Sequence, residues 1–200
     1  IFLNLLMLYT RDNENIFFVH IPRTGGRFFN ELLLFNGFKK RGKSEKEDVV
    51  DGIPIMHLHL DYLKKNKDYV ENKKFCIIRN PYERLRSVLR YNRDNLKVTK
   101  DSIIVKNETN FNKGVFLSWV RPQVEFVSED TLIWRYEKGL ENNLCKFIKD
   151  EFNIDINYSK VTYDQSPEDF IDKIALTKDQ IEFVNKYYKK DFIRFNYETI

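Results

Sequence analysis

The chain has 200 residues, 34 of them Lys or Arg against 30 Asp or Glu, for a net charge of +4. That length suffices for one domain with a real core and is too short for two comfortable ones, so residues 1–200 read as a single domain. With 42% apolar and 15% aromatic residues nothing points to disorder, and the charges are mixed along the chain rather than gathered in one block. A mild positive excess suits a polyanionic ligand without separating a nucleotide from nucleic acid.

The opening residues IFLNLLML are apolar, too short to span a bilayer, and lack the basic flank of a signal peptide. The expected compartment is cytoplasmic, or a secretory lumen if an anchor precedes this chain, which does not open on Met. Cys76 and Cys145, the only cysteines, fall in a predicted strand and a predicted helix, which argues against a disulfide and for a reducing compartment. Residues 16–21 (IFFVHI) form an apolar run that reads as a buried strand ending at Pro22 and a glycine pair. Phe28, Leu32 and Phe35 then recur at helical spacing, with Gly37 placed to end the helix.

Residues 39–52 are polar and read as an excursion, and IPIMHLHLDYL alternates before drifting toward helix. KFCIIR (74–79) is a second buried strand. Asn80, Pro81 and Glu83 supply N-cap, first-turn proline and N3 acid for a helix whose apolar stripe is Tyr82, Leu85 and Leu89, with Arg84, Arg86 and Arg90 on other faces. The polar stretch 93–112 lacks periodicity and reads as a substrate-side loop. A helix over about 116–126 should break at Pro122, TLIWRY (131–136) reads as a strand, and Leu140, Leu144, Phe147 and Ile148 mark the next helix. Ser166-Pro167 and Thr177 with Gln180 look like two further helix starts, with Ile181, Val184, Tyr188 and Phe192 tracing the last apolar face. Alternating strands and helices predict an α/β fold with a parallel sheet covered on both sides.

Two segments carry chemistry. In HIPRTGGR (20–27) a strand runs through a glycine turn into a helix, so backbone N–H groups of residues 24–27 can converge on an anion at the helix N-terminus. Arg23 adds a permanent charge and Thr24 a hydroxyl, while Gly25 and Gly26 allow close backbone approach. Alone, this is equally a tight turn with incidental polar residues. It is not a Walker loop, which needs Gly-Lys-Ser/Thr with the hydroxyl on Mg²⁺. In RNPYERLRS (79–87), Arg79 ends a strand and Ser87 lies two turns into the following helix, at the sheet edge where ligands of open α/β folds collect. Alone, this reads first as an ordinary capped helix with surface arginines.

Together they resemble the sulfotransferase superfamily. HIPRTGG is similar to the 5′-phosphosulfate loop (commonly HIPKTGGTS in the carbohydrate branch), and RNPYERLRS to that branch's 3′-phosphate motif R-(N/D)-P-x-x-R-x-x-S. TLIWRYEKGLEN and YYKKDFIRFNY are weaker echoes of the family's "YEdL" and C-terminal "DF..F.Y" segments, so the likeness spans most of the chain from residue 16. The resemblance implies a three-layer P-loop-like fold with a central parallel sheet flanked by helices. It implies 3′-phosphoadenosine 5′-phosphosulfate (PAPS) as sulfuryl donor, 3′,5′-ADP (PAP) as product, no metal, and a hydroxyl-bearing acceptor of carbohydrate type.

Carried over by position, Arg23 stands where the family has its loop lysine, Thr24, Gly25, Gly26 and Arg27 fall on the 5′-phosphate segment, and Arg79 with Ser87 on the 3′-phosphate pair. Arginine at 23 keeps the charge but donates no proton at neutral pH, and Arg27 replaces a small hydroxyl residue. MHLHLDYL is similar to the His-containing segment of the heparan-type branch. His59 aligns best as general base, with His57 in support and His20 structural. A zinc-binding His pair and two bland polar residues remain alternatives for 57 and 59. A nucleotide-dependent kinase and a nucleotide-binding protein without catalysis remain alternatives for the whole, and no aromatic-basic module for nucleic acid is present.

Overall fold

The computed structural model describes residues 7–41, 49–91, 96–106, 110–160 and 175–200. Strand β1 (Leu8–Arg11) turns at Asp12, with φ +51°, into β2 (Glu14–Val19), which leads through the glycine loop into α1 (Gly26–Phe35). The short β3 (Lys39–Lys40) follows, then the β4–β5 hairpin (Val49–Val50 and Ile53–Pro54), a 3-10 turn at Ile55–His57, α2 (Leu60–Leu63) and α3 (Lys67–Glu71). Next come β6 (Lys74–Ile78), α4 (Pro81–Tyr91), the β7–β8 hairpin (Leu96–Val98 and Ile103–Val105) and α5 (Asn110–Val120). A 3-10 turn at Gln123–Glu125 precedes β9 (Leu132–Arg135), α6 (Asn142–Phe152), α7 (Lys178–Tyr187) and α8 (Lys189–Phe195).

The five-stranded sheet has the order β3-β1-β2-β6-β9, with β2, β6 and β9 parallel and β1 antiparallel to both β2 and β3. The wholly parallel sheet expected from the alternating pattern is therefore corrected to a mixed one. The cause is local: only Asp12 and Asn13 join β1 to β2, and so short a link can only produce antiparallel neighbours.

Alternate residues of the central strands feed opposite faces. Phe17, Val19, Cys76 and Ile78 pack with Leu58, Leu63, Tyr69, Phe126 and Phe195. Ile16, Phe18, Phe75 and Ile77 pack with Phe28, Phe29, Leu32 and Leu33 of α1 and Leu144 and Ile148 of α6. Burial on both faces explains why these strands read as continuous apolar runs. A third cluster joins Tyr82, Leu85 and Leu89 of α4 to Phe183, Val184 and Tyr188, and to Phe192 of α8. Thr177 and Gln180 form a full capping box at α7, while the Ser166-Pro167 start lies outside the described residues.

Within the 93–112 stretch read as a loop, β7 and β8 pair around a Thr99–Ser102 turn, and Asn110 already opens α5. Pro122 does end that helix. Both cysteines are free thiols. Among the described residues no helix is long and apolar enough to cross a membrane.

The β4–β5 turn seats on α5 so closely that a Cβ on Gly114 would lie 1.9 Å from the Gly52 carbonyl oxygen. Backbone cannot yield as a side-chain tip does. Gly114→Ala should therefore destabilise the protein by about 1–3 kcal/mol, against the ~1 kcal/mol gain that helix propensity alone predicts, as read by thermal or urea unfolding.

Candidate functional site

The three parallel strands deliver their carboxyl ends to one edge, in register through Val19↔Cys76 and Ile78↔Arg135. The loop 20–27 leaves β2 there, Arg79 and Asn80 leave β6, and Tyr136 and Glu137 leave β9. All the segments singled out by the two motifs thus share one edge.

In the loop, Arg23 (φ +69°) and Gly25 (φ +94°) both take left-handed backbone, which turns the chain sharply into α1. The Thr24 hydroxyl is fully buried and donates to the Ile21 carbonyl at 2.8 Å, so its side chain shapes the loop rather than facing a ligand. No side chain caps α1 and no acid lies in its first turn, which leaves its leading N–H groups suited to an anion. Gly26 is needed for a different reason from the one expected. The His20 ring lies against it, and a Cβ would sit 2.2 Å from His20 Cδ2. Arg27 points outward, three-quarters exposed, with Nε 3.3 Å from Glu31 Oε1.

Arg23 reaches across to the second motif. Its Nε and Nη2 both donate to the Ser87 hydroxyl oxygen, at 3.1 and 2.9 Å, and its guanidinium carbon lies 5.8 Å from the Trp119 ring centre. A hydroxyl has two lone pairs and one hydrogen; with both lone pairs taken, Ser87 is left as a donor. Arg79 is 8% exposed, lies 4.3 Å from the Tyr136 ring centre, and its buried Nε meets no hydrogen-bond partner. Tyr136 also borders the loop, since a Cβ on Gly25 would come within 3.2 Å of its ring. Tyr136 thus stands between the two motifs.

Asn80 caps α4 as expected, accepting from Tyr82 N at 3.0 Å, while its own N–H goes to Glu137 at 2.6 Å. The other carboxylate oxygen of Glu137 accepts from Tyr197 at 2.9 Å, which draws the TLIWRYEKGLEN and YYKKDFIRFNY segments onto the same edge. Burial, reinforced by Glu137, raises the Tyr197 pKa well above the ordinary phenol range.

Arg84 is not on an outer face, as the helical stripe suggested, but 2% exposed. Its Nε donates to the Pro22 carbonyl at 3.0 Å, Nη1 to Arg121 O at 2.8 Å and Nη2 to Trp119 O at 2.9 Å. The sequence carries one signal of this: Arg84 and the buried Val88 lie one turn apart, forming a second buried row on α4 beside Leu85 and Leu89.

The histidines divide into two environments. The His57 ring lies 5.2 Å from that of His20, with Nδ1 3.4 Å from the Ser118 hydroxyl. Burial, then the charges of Lys40 and Arg23, lowers the His20 pKa to about 4; burial, then His20 and Arg84, holds His57 well below its ordinary value. His59 instead faces Asp61, with Nδ1 3.6 Å from a carboxylate oxygen, and the Tyr62 ring at 4.8 Å. Burial and Arg121 lower its pKa, opposed by Asp61 and Glu125. Burial thus disfavours the charged form of all three, least of all at His59, where Asp61 and Glu125 oppose the shift. Among the described residues no three His, Cys, Asp or Glu gather as a metal site.

The buried side-chain polar atoms without a partner among the described residues are Arg79 Nε, Arg86 Nε, Trp119 Nε1 and Arg121 Nε. All are donors, and three belong to cations. Chemically, the edge offers hydrogen bonds and positive charge to an anion, with neutral imidazoles nearby.

Since Arg84 ties the loop to the end of α5, Arg84→Ala should cost about 3–5 kcal/mol by stranding one buried and two half-buried carbonyls. Arg84→Lys, which keeps the charge without the planar fork, should lose part of this, with thermal unfolding as the measurement.

Comparison of the chain with protein-family models, with curated proteins and with solved structures finds no match. The choice of ligand therefore rests on the chain's own residues.

Proposed function

We propose that the chain is a PAPS-dependent sulfotransferase acting on a hydroxyl of a carbohydrate-type acceptor. The observation that carries this reading is the contact of the Arg23 guanidinium with the Ser87 hydroxyl, because it joins at hydrogen-bond distance two motifs 64 residues apart. The unpartnered Nε of Arg79 and the acid-free start of α1 support a ligand with two separated anionic groups.

On this reading the N–H groups of residues 24–27 hold the 5′-phosphate, with Arg23 beside the leaving oxygen. Arg79 and the Ser87 hydroxyl hydrogen hold the 3′-phosphate. PAPS supplies the sulfuryl group, which passes to the acceptor oxygen as its bond to the 5′-phosphate oxygen breaks, leaving 3′,5′-ADP. Arg23 stabilises the charge that grows on that oxygen electrostatically, since a guanidinium surrenders no proton. His59, with the Asp61 carboxylate 3.6 Å away, takes the proton of the acceptor hydroxyl, while His57, lodged between His20 and Ser118, supports the segment.

A nucleotide-dependent kinase is disfavoured because the one hydroxyl in the loop, on Thr24, is buried on the Ile21 carbonyl and is not offered to Mg²⁺. A binding protein without catalysis draws support from Arg27, which stands exposed on Glu31 where the family has a small hydroxyl residue.

Calorimetric titration with PAPS and 3′,5′-ADP, without Mg²⁺, should give micromolar or tighter binding. Arg79→Ala combined with Ser87→Ala should weaken it about 10²–10⁴-fold, as expected for losing charge-assisted hydrogen bonds of ~1.5–3 kcal/mol each. Absence of binding at millimolar nucleotide rejects the reading.

His59→Ala should leave nucleotide affinity intact and lower kcat about 10²–10⁴-fold, whereas unchanged turnover would remove His59 as the base. Because the His59 pKa is lowered, its basic form persists to lower pH than an ordinary imidazole's. kcat/KM should accordingly stay level through neutral pH and fall only below about pH 6.5.

A further inference from the structure

Arg79 stands one residue past the end of β6, and its main chain is completed by a side chain. Gln123, 44 residues on, presents its amide as a neighbouring strand would present a peptide group. Oε1 accepts from Arg79 N at 2.9 Å and Nε2 donates to Arg79 O at 2.8 Å. The two bonds together fix the Arg79 peptide planes on both sides of its Cα, and so fix the direction in which its side chain leaves the backbone.

Gln123 is itself immobilised. It is fully buried, and its N–H donates to Asp191 Oδ2 at 2.9 Å, with Nε2 3.4 Å from the same oxygen. Asp191 Oδ1 accepts from Val124 N at 2.9 Å. This carboxylate is fully buried in the first turn of α8 and holds both leading amides of the 3-10 turn at Gln123–Glu125. A chain of hydrogen bonds thus runs from the C-terminal helix through Asp191 and Gln123 to the backbone of the buried arginine whose Nε has no partner.

We infer that Gln123, anchored by Asp191, is a positioning residue that aims Arg79 and thereby sets the preference for a ligand bearing a 3′-phosphate. The inference rests on the assignment of Arg79 to the 3′-phosphate. Gln123 touches no reacting atom; it acts through the backbone of Arg79. A glutamine serves here because one planar group must both accept and donate, which neither Glu nor a hydrophobe of the same size does.

The test compares affinities for 3′,5′-ADP and for 5′-AMP, which lacks only the 3′-phosphate, in wild type, Gln123→Ala, Gln123→Glu and Asp191→Asn, with thermal unfolding of each. Gln123→Ala should lose about tenfold in 3′,5′-ADP affinity while 5′-AMP affinity holds within about twofold, a change of one decade in the ratio. Gln123→Glu keeps the acceptor and loses the donor, and Asp191→Asn turns a donor toward the Gln123 amide. Both should reduce the ratio about threefold. If Gln123→Ala does not fold, these two variants decide by the same ratio. A merely structural role would lower both affinities equally or neither, and either result in a folded variant overturns the inference. Wild type that binds 3′,5′-ADP and 5′-AMP equally overturns the assignment of Arg79, and wild type that binds neither overturns the sulfotransferase reading. The inference falls with either.

Discussion

The site is assembled around one buried charge. A guanidinium taken out of water is costly unless its N–H groups find acceptors, and Arg84 finds three backbone carbonyls from two distant segments. Two of them, Trp119 O and Arg121 O, lie at the C-terminal end of α5, where helix carbonyls lack intrahelical partners and carry partial negative charge. The third, Pro22 O, immediately precedes the glycine loop. One side chain thereby satisfies the end of α5 and fixes the loop against it. Because α5 also seats the β4–β5 turn on Gly114, the segment that bears His57 and His59 leaves a hairpin referenced to the same helix.

The electrostatic character of the edge follows from how its acids are spent. Glu137 is taken by Asn80 and Tyr197, Asp191 by Gln123 and Val124, Glu83 by Arg86 and Glu125 by Arg121. What remains buried and unpaired is donor capacity, and burial keeps the neighbouring imidazoles from adding charge of their own. Donors left without acceptors in a native interior are costly, by about 1–3 kcal/mol each. Arg79 is the clearest case. Its aromatic contact with Tyr136 offsets part of the cost of burial without using a single N–H.

Much of this was legible in the sequence where the controlling interactions are short-range. The IFFV and FCII runs announced strands buried on both faces, Asn80-Pro81 announced α4, and Thr177 with Gln180 announced α7, because caps and periodicity act within a few residues. Arg79 at the end of one apolar run and the glycine loop at the end of another were expected on one sheet edge, and the parallel pairing of β2 with β6 puts them there. The antiparallel β1 was missed because LYTR (8–11) is only four residues long and opens on two adjacent apolar residues rather than an alternation, and the β7–β8 hairpin because three-residue strands bounded by Lys, Thr, Asp and Ser leave too short a pattern. The inward turn of Arg84 and the amide pairing of Gln123 were beyond reach for a different reason. Their partners lie 35 to 68 residues away, and nothing local distinguishes these side chains from solvated ones.

The position of Arg23 brings these strands of argument together. A non-glycine residue at φ +69° carries a backbone cost of about 1–3 kcal/mol, and it persists only where surrounding contacts over-determine it. Here the fork on Ser87 and the face of Trp119 supply those contacts, and both belong to elements that Arg84 binds to the loop. A lysine at this position would present a single point charge able to meet one acceptor at a time. The arginine fork closes on both lone pairs of one hydroxyl, which forces the Ser87 hydrogen outward and makes a serine at the end of one motif a donor on account of a residue in the other. The strained backbone, the chelated hydroxyl and the buried clamp beneath them therefore act as one device, in which the geometry of the glycine loop sets the polarity of the Ser87 hydroxyl.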